Sequence, residues 1–89
     1  MEDRYTLTDL PEVGEWYYAV EWFTYTYPEG FENREVITRR ATFDGSAYGY
    51  ALIAAGMAFK THEAAERNKY AVYKALTGKE WKREDARHE

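Results

Sequence analysis

The chain has 89 residues, a formal net charge of −4 and no cysteine, which fits a single domain and excludes a disulfide framework or a thiolate zinc site. Aromatic residues make up 18% of it, tyrosine most of all, and such rings can build a core in a short chain, so wholesale disorder is not expected. The longest apolar run, 51–55, falls far short of a membrane span, and the first fifteen residues carry Glu2, Asp3 and Asp9 without an apolar stretch, so neither a membrane partner nor a signal peptide is expected and a cytoplasmic setting follows.

Residues 1–15 read as a lead-in, with Pro11 and Gly14 as breakers. Residues 16–27 are nearly all aromatic or β-branched and predict a strand. Alternation gives it two faces. Trp16, Tyr18, Val20, Trp22, Thr24 and Thr26 carry no charge and are assigned to the core. Tyr17, Ala19, Glu21, Phe23, Tyr25 and Tyr27 are assigned to the outside. Pro28-Glu29-Gly30 stops the strand, and the chain returns as a second strand over 34–43, forming an antiparallel hairpin. Glu21 is placed to pair across it with Arg39 or Arg40.

Residues 45–55 admit two readings. Asp44-Gly45 is a hairpin signal that would make 47–53 a third strand. Ser46 could equally cap a short helix ended by Gly56. The helix over 62–77 is better marked. Thr61 is its N-cap, Glu63 and Glu66 lie near its positive end, Lys74 lies near its negative end, and Gly78 stops it. Ala64, Ala65, Ala71, Val72, Ala75 and Leu76, interrupted by Asn68, form its apolar stripe. Residues 82–89 are all charged but Ala86 and read as a frayed tail. The predicted fold is α+β: an antiparallel sheet of two to three strands packed against one C-terminal helix, in one domain.

Gly56-Met57-Ala58-Phe59-Lys60-Thr61-His62-Glu63-Ala64-Ala65-Glu66 resembles the Gly-x-x-Phe-Lys-Thr-x-Glu-x-Ala-Glu segment of small accessory proteins of bacteriophages and prophages. Met57 and Ala64 depart from the common form, which has Asn and Glu there. In physical terms the segment is a strand or turn end, a buried Phe and a capped helix start. The resemblance implies a phage or mobile-element origin and brings no catalytic residue with it.

Candidate chemistry is sparse. His62 and His88 are the only histidines and lack ligand spacing. Ser46, the single serine, could form a unit with His62 and Asp44, but no nucleophile-elbow context surrounds it. No phosphate-binding glycine loop is present. No enzymatic activity, metal or cofactor is expected.

Charge is the more informative feature. Residues 1–35 hold nine acids against two bases, a net −7, while the remainder holds ten bases against seven acids, +3. Tyr17, Glu21, Phe23, Tyr25 and Tyr27, with Glu29 and Glu32, therefore form the candidate partner-binding face. Its uses are plain solvent cover, protein docking or base stacking. The reading adopted is docking on a basic surface of a bacterial host protein. By analogy with how phages use small proteins, the concrete form is an inhibitor of a host defence system. An anti-CRISPR protein occupying the nucleic-acid channel of an RNA-guided nuclease is the leading example. The alternative is a nucleic-acid-binding accessory protein, with Arg39 and Arg40 meeting phosphates beside the aromatic face.

Overall fold

Strands β1 (Trp16–Thr26) and β2 (Glu32–Thr42) run antiparallel, with Trp16 opposite Thr42 and Trp22 opposite Val36. The computed structural model describes residues 3–30 and 32–81, with the backbone alone at positions 25, 32 and 33; the expected tail at 82–89 lies outside the described residues. β2 begins two residues earlier than its hydrophobic pattern suggests, because polar Glu32 and Asn33 still pair with Thr26 and Tyr25. Tyr27, Pro28, Glu29 and Gly30 make the turn, closed by the Gly30 N–H on the Tyr27 carbonyl at 2.9 Å.

The ambiguous stretch is a helix, α1 (Ala47–Ala54). Local polar groups decide it. The Asp44 carboxylate accepts the Ser46 N–H at 3.0 Å, and Ser46 Oγ accepts the Gly49 N–H at 3.4 Å. At the other end Gly56 N–H reaches the Ile53 carbonyl and Met57 N–H the Leu52 carbonyl, both at 3.0 Å, which satisfies two of the carbonyls a helix leaves open. Gly49 lets α1 approach the sheet: a Cβ there would stand 3.2 Å from two carbons of the Phe43 ring.

The third strand is therefore not 47–53 but β3 (Ala58–Phe59), which pairs with β1 at Tyr18 and Ala19 and gives the sheet order β2-β1-β3. The N-terminal segment is more than a lead-in. Arg4 bridges to Phe59 on the far side of β3, and Tyr5 N–H donates to the Ala58 carbonyl at 3.0 Å. Tyr5 and Pro11 are both buried.

Helix α2 (His62–Thr77) has the predicted bounds. Thr61 Oγ1 accepts the Ala64 N–H at 3.1 Å, and Gly78, at φ 75°, donates its N–H to the Lys74 carbonyl. Its buried stripe differs from the expected one: Ala64, Ala65, Val72 and Tyr73 are inside, whereas Ala71, Ala75 and Leu76 face solvent. The line through 64, 65, 68, 69, 72 and 73 carries the burial, and Asn68 fits on it because its amide donates to the Ala64 carbonyl at 2.8 Å.

Each face of the sheet covers a separate small core. On one, α2 buries Val20, Val36 and Phe59 beneath Ala64, Ala65, Val72 and Tyr73, with Tyr18 and Trp22 at the margin. On the other, Leu52 and Ile53 of α1 meet Tyr5, Tyr17, Ala19, Phe43 and Ala58. Period-two alternation identifies two faces but not that both are covered. This is an α+β fold with a second helix that the single-helix expectation lacks.

Candidate partner-binding surface

Tyr17 does not belong to the surface expected for it. It is 3% exposed and packs edge-on against Phe43, ring centroids 6.4 Å apart. Burial, then the neighbouring Tyr48, pushes its phenol above the ordinary tyrosine range. The physical reason is α1, which lies over this end of the outer face and converts it into core.

Glu21, at the edge of that covered zone, is an internal ligand. Its carboxylate takes the Arg39 guanidinium through Nε at 3.1 Å and through a second, shorter bond from the same fork, and it accepts the Tyr48 hydroxyl at 3.1 Å. The cross-strand pair expected with Arg39 or Arg40 is thus made with Arg39, whose guanidinium pKa is raised by that hydrogen bond.

Beyond Glu21 the α1 side of the sheet becomes exposed, while on the opposite side α2 still reaches Trp22 through Tyr73. Phe23 is 38% exposed on the α1 side and stands opposite Glu35. Tyr27 is 39% exposed at the turn, next to exposed Glu29. Tyr25 and Glu32 occupy strand positions opposite Asn33 and Thr26, and their side chains lie outside the described residues. The structure therefore gathers Phe23, Tyr27 and Glu29 at the distal hairpin, leaves Glu21 behind as a structural group, and removes Tyr17.

The acidic half of the chain is not one face. Asp9 is bound to Lys60 at 2.7 Å and Glu21 to Arg39. Glu12 and Glu15 sit before the first residue of β1, where the Glu15 carboxylate accepts the Glu12 N–H at 2.7 Å. Glu29 lies past the last residue of β1, and a strand of 11 residues separates the two groups by about 35 Å.

One exposed aromatic group escapes the alternation rule. Trp16, assigned to the core with Val20 and Trp22, is 54% exposed, and the Arg40 guanidinium lies over its ring at 3.7 Å from the centroid. Helix α2 explains this. Its first residue, His62, touches Tyr18 (ring centroids 5.8 Å apart), and Tyr73, one turn from its end, touches Trp22 (5.3 Å). A helix of 16 residues is about 24 Å long and cannot cover a longer strand at both ends. That length difference was the signal available in the sequence.

Ser46 and His62 head helices on opposite faces of the sheet, so the Ser46–His62–Asp44 unit is not assembled. Among the described residues no group of three or more His, Asp or Glu could hold a metal, and no helix is long and apolar enough to cross a membrane. No family model, no curated protein and no solved structure matches the chain.

Proposed function

We propose that the chain works by binding another protein through its distal hairpin, as an acidic and aromatic occupant of a basic surface on a bacterial host protein. In its concrete form it is a phage-borne inhibitor of a defence system, seated in the basic channel by which an RNA-guided nuclease holds nucleic acid. One observation carries the reading: Phe23 is partly exposed on the α1 side of β1, beyond the reach of α1, and Tyr27 and Glu29 are exposed in the turn that follows the strand. Rigid aromatics on a strand lose little entropy on docking, and acids beside them steer the encounter. The phage-like segment at 56–66 supports the origin and, with Phe59 fully buried and Thr61 capping α2, is a folding element rather than a contact.

The test is cleavage of a guide-matched DNA by a purified RNA-guided nuclease, titrated with the protein. Inhibition relieved by excess guide or target DNA is expected. Unchanged cleavage, with no complex by size exclusion, removes the nuclease as the target. The nucleic-acid reading is favoured by a different observation, the Arg40–Trp16 stack, which offers a base platform and a phosphate contact together. A mobility shift at about 150 mM salt separates the two, because nucleic-acid affinity requires a cationic footprint.

A further inference from the structure

The outer edge of β2 belongs to no described pairing. With sheet order β2-β1-β3, β2 has a strand on one side only. The register fixes which of its groups point outward. Phe43 N–H donates to the Glu15 carbonyl, so the odd-numbered residues of this ladder bond to β1. The N–H and C=O of Arg34, Val36, Thr38, Arg40 and Thr42 therefore face away from it. The Arg34 carbonyl is taken by the Trp81 indole at 3.2 Å. Among the described residues, no hydrogen bond fills this edge from 36 to 42.

That open stretch, Val36-Ile37-Thr38-Arg39-Arg40-Ala41-Thr42, contains two arginines and no acid. Arg39 is exposed on the α1 side, with part of its fork committed to Glu21. Arg40 is exposed on the α2 side. Its guanidinium carbon lies over the Trp16 ring at 3.7 Å from the centroid, and among the described residues no carboxylate pairs with it. A stacked guanidinium keeps its in-plane N–H groups available for a carboxylate.

We propose that residues 36–42 accept an extended acidic segment of another protein as an added strand. Main-chain hydrogen bonds to Val36, Thr38 and Arg40 would hold it, as in other strand-addition complexes. Consecutive residues of an added strand face opposite sides of the sheet. Those lying across from Arg39 and Arg40 are consecutive, so the favoured segment carries two adjacent acids, and the one facing Arg40 gains the stronger contact. A second copy of this chain is disfavoured as occupant. Pairing the stretch with itself brings four arginines together, and like charges across a strand pair repel. This surface is opposite in sign to the hairpin tip and stands apart from the reading above.

The experiment is a titration of the isotopically labelled protein, followed amide by amide, with the peptide acetyl-Thr-Val-Glu-Glu-Val-Thr-amide. The same peptide with Lys-Lys at its centre is the control. The acidic peptide is expected to shift, and protect from exchange, the amides of Val36, Thr38 and Arg40, while the already bonded amides of Ile37, Arg39 and Ala41 keep their protection. Arg40→Glu is expected to weaken binding about tenfold or more, and Thr38→Pro, which deletes one outward N–H, to abolish it. Should Thr38→Pro fail to fold, Arg40→Glu alone carries the comparison. Equal binding of the Lys peptide, shifts confined to other elements, or no shift at about 1 mM peptide overturns the proposal. So does protection of the same amides that grows with protein concentration alone, which assigns the edge to a second copy.

Discussion

The indole Nε1 of Trp81 donates to the main-chain oxygen of Arg34 at 3.2 Å, joining the chain just beyond α2 to the outer edge of β2. Tyr70 stacks on the same indole, with centroids 4.9 Å apart and planes inclined by 24°. This contact closes the α2 core at its hairpin end. Trp81→Ala is expected to cost about 2–3 kcal/mol, less than a fully buried tryptophan because Trp81 is half-buried. Trp81→Phe keeps a ring and loses about 1 kcal/mol with the hydrogen bond. Urea unfolding measures both; equal losses would mean that stacking contributes nothing.

The N-cap of α2 is a second local test. Thr61 Oγ1 accepts the Ala64 N–H at 3.1 Å, so Thr61→Ala is expected to cost about 1 kcal/mol, and Thr61→Ser much less. Thermal melts of the three proteins check this. A melting temperature for the alanine variant equal to the parent's would show that the bond has no net value.

The contrast between Thr61 and Trp16 indicates what was legible in the sequence. Caps, stops and strand runs are local, so the bounds of α2 and the β1–β2 hairpin follow from neighbouring residues. Face assignment is not local. Val20 and Trp22 were placed correctly because α2 is long enough to reach them. Trp16 lies on the same face but two residues beyond the helix start, and parity carries no information about where cover ends. Tyr17 failed for the reverse reason. Its cover comes from α1, a helix that depends on the choice Ser46 makes between hairpin and cap. Of the proposed surface, Phe23, Tyr27 and Glu29 remain. The tie between Glu21 and Arg39 was legible as a cross-strand charge pair, although its consequence, removal of Glu21 from the docking face, needed Tyr48 as well.

Glu66 gives a pH prediction. Its carboxylate accepts the Thr38 hydroxyl at 2.7 Å and the Lys69 ammonium at 3.0 Å, and these hold its pKa below the ordinary glutamate range, the hydroxyl foremost. A carboxyl whose folded pKa lies below its unfolded one adds stability that is complete above the unfolded value. That contribution is lost as pH falls through the folded value. Stability should therefore decline on acidification from about pH 5 toward pH 3, and Glu66→Gln should flatten that decline. The side chain is exposed enough that the effect stays under about 1 kcal/mol. Urea midpoints across this range are the measurement; parallel profiles for parent and variant would remove Glu66 as a contributor.

The distal hairpin can be tested by separating binding acids from structural ones. Glu29 sits exposed in the turn, and position 32 lies opposite Thr26 near the same end. Reversing Glu29 to Lys should leave the unfolding midpoint within about 0.5 kcal/mol, because an exposed charge contributes little to stability. On a basic target the same change should slow association, with a reduced dependence on salt. Phe23→Ala should act on dissociation instead, since a partly exposed ring on a strand completes its burial only in the complex. Glu21→Lys is the contrasting case. It deletes the bonds from Arg39 and Tyr48 and sets two cations side by side, so it should cost about 1–3 kcal/mol of stability. Association measured by surface plasmon resonance against a purified RNA-guided nuclease, beside urea unfolding of each variant, distinguishes these outcomes. Loss of binding only in Glu21→Lys would trace the defect to a damaged sheet and withdraw the hairpin tip as the docking element. Slowed association in Glu29→Lys, with stability unchanged, would place the encounter at the hairpin tip.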